Sequence, residues 1–401
     1  MNSNVSVYAS NRQRFLKALG NDAAAIIFSS PMVTRSNDTE YAYRPHSDIL
    51  YLSGWAEPDS ALLLRPGSDE PFILFVQPKD KAREIWTGIR PGPEGAVLHY
   101  GADGAYLIDE LRKRLPALLQ GYSILHHQFT QDSEHDRLVM NSVASARRMA
   151  ARNGMAAPSS FVDLGALLHQ QRLIKSSEEL GLMRQAADIT AQAHIEAMKI
   201  TAPGVYEYEL EAVISYTFRK NGGSGPGYTS IVGGGENAVI LHYISNDQPL
   251  KDGDLVCVDA GCEFSWYTAD VTRTWPVNGR FSPAQKELYQ AVLQAQLASI
   301  EASQPGAHFD DVHLATVRSM TNSLVELGFL QGDVEDLIAE GAFRKWFMHG
   351  TSHWLGIDVH DTGRRAELGN STVLREGMVL TIEPGLYVAA DDDQAPERFR
   401  G

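Results

Sequence analysis

The 401 residues predict an α/β protein of two units in series, the second built on an internal repeat. Three observations carry that prediction. Apolar runs of strand length alternate with helical stretches through the first 171 residues. From Arg172 onward a helix, a Pro-Gly break and a second helix lead into strand-like sequence. The same order then returns, with its Pro-Gly break 102 positions after the first. A supersecondary unit that recurs at a fixed spacing reads as a duplicated module. Pro-Gly breaks are common, so coincidence is the competing reading. A length prior of about 150 residues per domain agrees with two or three domains. We place the boundary between residues 171 and 172.

The elements follow in order. AAAIIF (23–28), SALLLRP (60–66) and PFILFVQ (71–77) are strand-length apolar runs, while YLIDELRKRLPALL (106–119) and the region around 133–152 read as helices. Ser176 followed by Glu179 makes a capping box. Leu182, Ala186, Ile189, Ala193 and Ala197 then mark one face of a long helix. TAPG (201–204) ends it, and Tyr208 to Lys220 forms the next helix, stopped by NGG. In the repeat, Ser282 caps a helix with Pro283 at its first position and Gln285 three after the cap. That helix runs to about Ala302. SQPG (303–306) breaks it, and Asp310 to Leu327 is the partner helix. YTSIVGGG onward supplies strands after the first pair; FMHGTSHWLGIDVHD through MVLTIEPGLYV supplies them after the second.

Composition narrows the function. Content of 43% hydrophobic and 21% charged residues is that of a folded protein with a sizeable core. Fifty acids against 35 Lys and Arg give a formal charge of -15, which argues against nucleic acid and anionic membrane surfaces as partners. The N-terminal stretch MNSNVSVYASNRQRFLKALG has no signal-peptide core, and no segment approaches the ~20 apolar residues of a membrane span. Cys257 and Cys262, five apart in a strand, would point to opposite faces and not bridge easily. We read both as small buried hydrophobes in a reducing cytoplasm.

The chemistry gathers in three places. VDAGCEFSWYTAD (258–270) sets Asp259 and Asp270 among apolar residues, where an unpaired carboxylate costs several kcal/mol. If the two strand-like flanks form a hairpin turning between Phe264 and Ser265, Asp259 faces Asp270 at about 4.5–5.5 Å. Two bare carboxylates there repel, and a divalent cation removes the conflict. The competing reading gives one aspartate a turn and the other Arg273. MHGTSHWLGIDVHD (348–361) holds His349, His353 and His360 within 12 positions. Its glycines argue against a helix, so only some of these rings can reach one spot. In GMVLTIEPGLYV (377–388), Glu383 ends an apolar strand before a Pro-Gly turn. Asp259, Asp270, His353 and Glu383 together are oxygen-rich with one nitrogen donor. That set favours Mn²⁺, Co²⁺, Fe²⁺ or Zn²⁺ over a thiolate-type structural zinc. A carboxylate-bridged ion pair would lower the pKa of a shared water enough to supply hydroxide near neutral pH.

VDAG…YTADVTRTWPVNG, FMHGTSHWLGIDVHD and TIEPGLY resemble the metal-binding segments of the pita-bread metallopeptidases, family M24, and most of all the aminopeptidase P group. YAYRPHSDILYLSGWAEPDSALLL resembles that group's N-terminal signature, and GYTSIVGGGENAVILHY (227–243) a substrate-side segment. The resemblance spans nearly the whole chain. It implies a creatinase-like α/β domain before a duplicated catalytic domain with a curved, mainly antiparallel sheet. It also implies a centre of two ions, usually manganese, that releases an N-terminal residue preceding proline. By motif position, Asp259 binds one ion and Asp270 bridges both. His353 and Glu383 hold the other, with Glu383 also the proton shuttle. His360 and His242 would line the substrate cleft, His360 placed to hydrogen-bond the carbonyl, and His349 and Tyr228 would support substrate binding. Trp86 resembles a position contributed to a neighbouring subunit's site in a homo-oligomer, dimer or tetramer; a domain-core tryptophan is the other reading.

A fifth family ligand, a bridging glutamate in an IRIED-like strand after a segment resembling PERFRG, would fall beyond Gly401. Without that carboxylate and its strand, we expect a weaker or one-ion centre, an exposed sheet edge, and activity that has to be established for the 401-residue form. Prolidase activity on Xaa-Pro dipeptides and a non-catalytic pita-bread binding module are the alternatives. The donor set alone does not separate the first of them.

Overall fold

The computed structural model describes residues 5–400. The first four residues, part of the stretch read above as lacking a signal core, lie outside that range. The chain divides into two compact units, Met1–Gln171 and Arg172–Gly401.

In the first unit a six-stranded sheet is ordered Gly104–Leu107, Phe72–Val76, Ala61–Leu64, Ala23–Phe28, Ile124–His127, Ser160–Asp163. Pairing is antiparallel among the three apolar runs found in the sequence and parallel towards both edges. The central strands are buried on both faces, which explains why they read as continuous apolar runs and not as alternating ones. Leu111, Leu115, Val139, Val143 and Ala146, from two helices, close one face over Ala24, Ile26, Leu63 and Phe75. The helix expected over 106–119 is shorter than its apolar pattern. Gly104–Leu107 extends the sheet beside Phe72–Val76, and the helix proper spans Leu111–Leu118. Trp86 is 87% exposed, so it is no core residue of its unit.

The second unit carries its duplication in the backbone. Helices Ser177–Ile200 and Glu207–Lys220 form one pair, Pro283–Ala302 and Phe309–Glu326 the other. The capping boxes read at Ser176 and Ser282 are both present. After each Pro-Gly break the same bonds recur. Gly204 N–H donates to Leu250 C=O and Leu250 N–H to Val205 C=O, at 2.8 Å each. Gly306 N–H donates to Leu374 C=O (2.9 Å) and Leu374 N–H to Ala307 C=O (2.8 Å). Both glycines have φ near +90° (90° and 95°), a conformation that side-chain-bearing residues rarely adopt. Leu374 follows Leu250 by the same interval as Glu383 follows Asp259, so those two acids are equivalent positions of the repeat.

Each helix pair backs an extended segment with period-two burial. In Leu255–Ala260, Val256, Val258 and Ala260 pack on the first pair, leaving Cys257 and Asp259 on the opposite face. In the second half Met378, Leu380 and Ile382 face the helix side, and Glu383 alternates with them. This second segment forms no regular strand. It meets 351–355 through a single bridge, Trp354 to Leu380, and three backbone bonds. The cause is local: His353 N–H donates to the Thr381 hydroxyl (3.0 Å) where a ladder would use a carbonyl.

The hairpin register differs from expectation. The turn residues are Ser265 and Trp266, both with positive φ (50° and 72°), the pattern of a type I′ turn. Asp259 therefore pairs with Thr272, and Asp270 lies two residues along on the same face. Between the paired stretches, Gly261 runs against the other strand: an added Cβ would lie 1.7 Å from the Ala269 carbonyl oxygen. We expect Gly261→Ala to cost about 2–3 kcal/mol in urea unfolding. A loss under about 1 kcal/mol would show that this crossing relaxes freely.

Candidate metal centre

Donor atoms from Asp270, His353 and Glu383 all lie within 4.8 Å of one another. His353 Nε2 is 3.2 Å from Asp270 Oδ2 and 3.6 Å from Glu383 Oε1. Asp259 adjoins this trio through Tyr228, whose hydroxyl reaches Asp259 Oδ1 in a short contact and Asp270 Oδ1 at 3.0 Å. A phenol has one proton, so it serves one carboxylate at a time. The first hairpin thus brings two acids and the second half brings an imidazole and an acid.

The electrostatics record the crowding. Burial, and then the charge of Asp270, push the Asp259 carboxyl up to about 6. Glu383 is also raised, by burial first and then by Asp270 and Asp259. Burial alone would pull His353 down, but its hydrogen bonds to Asp270 and the Trp354 carbonyl, with the charge of Glu383, turn the net shift upward. Tyr228 is held well above its usual range by burial and both aspartates, so it stays a proton donor. His360 is lowered by burial and by the neighbouring His353.

These residues fit a hard divalent cation. His353 Nδ1 donates to the Trp354 carbonyl (3.0 Å), so in the neutral ring the Nε2 lone pair faces the carboxylates, the outer-sphere arrangement usual for a metal-ligating histidine. Three carboxylates supply oxygen donors of the kind that manganese and similar ions take. Arg273, the competing partner for an aspartate, is exposed and donates to its neighbour's carbonyl.

The remaining residues flagged in the sequence stand around the cluster. His360 stacks edge-on against His353 with ring centres 4.4 Å apart. His242 is exposed on the 235–248 loop and lies close enough to act on the charge of His360. His349 Nε2 pairs with the Tyr387 hydroxyl (2.8 Å), and its ring meets Phe347 edge-on. Tyr228, half-buried, sits on the two aspartates. Two residues escaped the sequence reading. Thr381 fixes the His353 backbone, as above. Glu207, with no exposed surface, accepts from Gly234 N–H (2.8 Å), Asn237 Nδ2 (3.0 Å), the Tyr243 hydroxyl (2.8 Å) and Gln248 N–H (3.0 Å). It ties down the loop that carries His242. In the sequence it looks like any first-turn helix acid.

Residues 181–399 match the model of metallopeptidase family M24, and residues 8–126 that of the aminopeptidase P N-terminal domain. The Xaa-Pro aminopeptidase of Escherichia coli K12 is 43% identical over 392 residues, covering 97% of this chain and 88% of the relative. Human Xaa-Pro aminopeptidase 3 is 36% identical over 387 residues, with 95% and 75% covered. Among solved structures, Pseudomonas aeruginosa aminopeptidase PepP superposes with a TM-score of 0.95 at 44% identity, covering 99% of this chain and 90% of that one. A zinc-substituted E. coli aminopeptidase P in complex with product gives 0.94 at 42% identity, with 99% and 90% covered.

Proton linkage at the cluster sets a measurable expectation. An acid whose folded pKa is raised holds its proton more tightly in the fold, so its contribution to stability falls as pH climbs from the unfolded to the folded value. For Asp259 that window runs from about 4 to about 6, and raised Glu383 acts in the same direction. A cation needs the ionised acids, so its affinity grows across the same window. We expect saturating Mn²⁺ to raise the Tm of metal-stripped protein more at pH 7.5 than at pH 5. Equal increments at both would refute the linkage.

Proposed function

The chain belongs to metallopeptidase family M24, and from that premise we propose that the Asp259, Asp270, His353 and Glu383 cluster is its catalytic metal centre, acting on peptides with proline in second position. It is a metal-dependent aminopeptidase. The observation that carries the assignment of the site is the convergence of Asp270, His353 and Glu383 donors from three separate segments. Manganese is the ion we assign, on the strength of three carboxylates and one imidazole.

A bound divalent ion supplies two things there: it makes water a nucleophile near neutral pH and polarises the scissile carbonyl. The protein's own groups handle protons and position. Glu383, raised towards neutrality by burial, takes a proton from the attacking water and returns it to the departing proline nitrogen. His360, its charge disfavoured by burial and by His353, offers a ring N–H to the carbonyl oxygen as negative charge develops on it. Tyr228 keeps Asp259 and Asp270 in register with each other. His242 and the His349–Tyr387 pair line the approach to the cluster. We further read the chain as a homo-oligomer, a reading supported by Ile85, Trp86 and Ile89, each more than four-fifths exposed on one short segment.

Assays with Xaa-Pro-Xaa peptides test the assignment. Mn²⁺-loaded protein is expected to release the first residue, and Asp270→Asn to lose both bound metal and activity. His360→Ala is expected to keep its metal and lose about 10²–10³ in kcat. Full activity of Asp270→Asn without bound metal would sink the assignment.

A further inference from the structure

The short segment Arg172–Lys175 makes contacts that capping and core packing do not explain. Arg172 Nη2 donates to Asp361 Oδ1 (2.5 Å) and Asp358 Oδ2 (2.7 Å). Lys175 Nζ donates to Asp361 Oδ2 (3.0 Å). Side-chain exposure of Arg172, Lys175 and Asp361 is 3%, 1% and 2%. Buried charges of this kind hold only while paired, and stranding one is costly. Two cations thus grip one carboxylate in the interior, with Asp358 nearer the surface.

What they grip is the turn that follows His353. Asp361 N–H donates to Trp354 C=O (2.9 Å) and Gly356 N–H to Asp358 C=O (3.1 Å), closing the turn on itself. Gly356 is needed for this closure, since an added Cβ would lie 2.1 Å from Asp361 Oδ2 and 3.1 Å from Lys175 Cε. Leu173 packs beside Trp354 in the same core. The backbone of Lys175 takes hold of the other catalytic segment: its N–H donates to Gly377 C=O (2.8 Å), at the base of the run leading to Glu383. Gly377 has φ +87°, and an added Cβ would lie 2.9 Å from the Lys175 carbonyl oxygen.

His360 precedes Asp361 directly. Among the described residues its ring forms no hydrogen bond, only the edge-on contact with His353. The reach of that ring towards His353 depends on where its Cα sits, and the backbone there is fixed at Asp361. We propose that Arg172 and Lys175 are positioning residues for the reaction: through Asp361 they hold the 354–361 turn so that the His360 imidazole faces the Asp270–His353–Glu383 cluster. The proposal rests on the role assigned to His360 above.

The test uses metal-loaded protein and a Xaa-Pro-Xaa peptide. Lys175→Met is expected to lower kcat by about 10–100-fold, the scale of a misplaced catalytic group. KM should stay within about twofold, and metal content unchanged. Lys175→Arg should restore most of the rate. In a His360→Ala background the Lys175→Met loss should shrink to about twofold or less, because the group being positioned is gone. An equal loss in both backgrounds, or full activity with only a lower Tm, would overturn the proposal. If Lys175→Met does not fold, Arg172→Lys decides by the same cycle, since it keeps the buried positive charge but cannot hold Asp358 and Asp361 together. Should His360→Ala leave kcat intact, the catalytic reading of His360 is what fails. Positioning is then read from the imidazole NMR signal that His360→Ala abolishes: it moves in Lys175→Met if the proposal holds and stays in place if it does not.

Discussion

Carboxylates brought close together inside a protein raise one another's pKa, and their repulsion has to be answered by protons, cations or geometry. Here Asp259, Asp270 and Glu383 share one half-buried face with the imidazole of His353. Much of the second unit serves to keep them there. The helix pairs support the alternate residues of the extended segments, Tyr228 lends its proton to the aspartates, and the Trp354 carbonyl holds the histidine in one orientation. Without a fixed frame the acids would move apart, because each is better hydrated alone.

That frame is assembled twice from the same parts. A glycine of positive φ after each first helix brings the chain back against a distant leucine through one reciprocal pair of backbone bonds. The strand-like segments that follow then sit at matching depth on their helices. As a result Asp259 and Glu383, far apart in sequence, occupy corresponding places and point to a common face. The two copies differ where function differs. The first makes a regular ladder, Leu255–Ala260 against Val271–Pro276, whereas in the second the Thr381 hydroxyl interrupts the ladder beside His353.

Much of this was legible in the sequence. Burial of alternate residues, the caps at Ser176 and Ser282, and the recurring Pro-Gly break are local signals, and local physics determined them. The acids stood out because apolar neighbours make unpaired charge expensive. His353 and Glu383 stood out as part of a histidine cluster and as an acid ending an apolar strand, and the motif resemblance gave the family. The hairpin stagger was less legible. It depends on Ser265 and Trp266 adopting left-handed backbone, which neither residue type announces. Glu207 and Thr381 stayed hidden for another reason: each acts through partners far along the chain, and no spacing rule links Glu207 to Tyr243 or Thr381 to His353. The strand at Gly104–Leu107 was masked by a helix pattern that runs through it, and pairing with Phe72–Val76 prevailed over local preference.

The division of donors has one more effect. Of the four residues we propose as donors, two come from the first half of the duplicated unit and two from the second, so an ion that takes all four becomes a fastener between segments that share no covalent link nearby. Any opening that parts the halves must first release it. The lifetime of the native state, and with it resistance to proteolysis, then follows how slowly the cation departs as much as how well the core is packed.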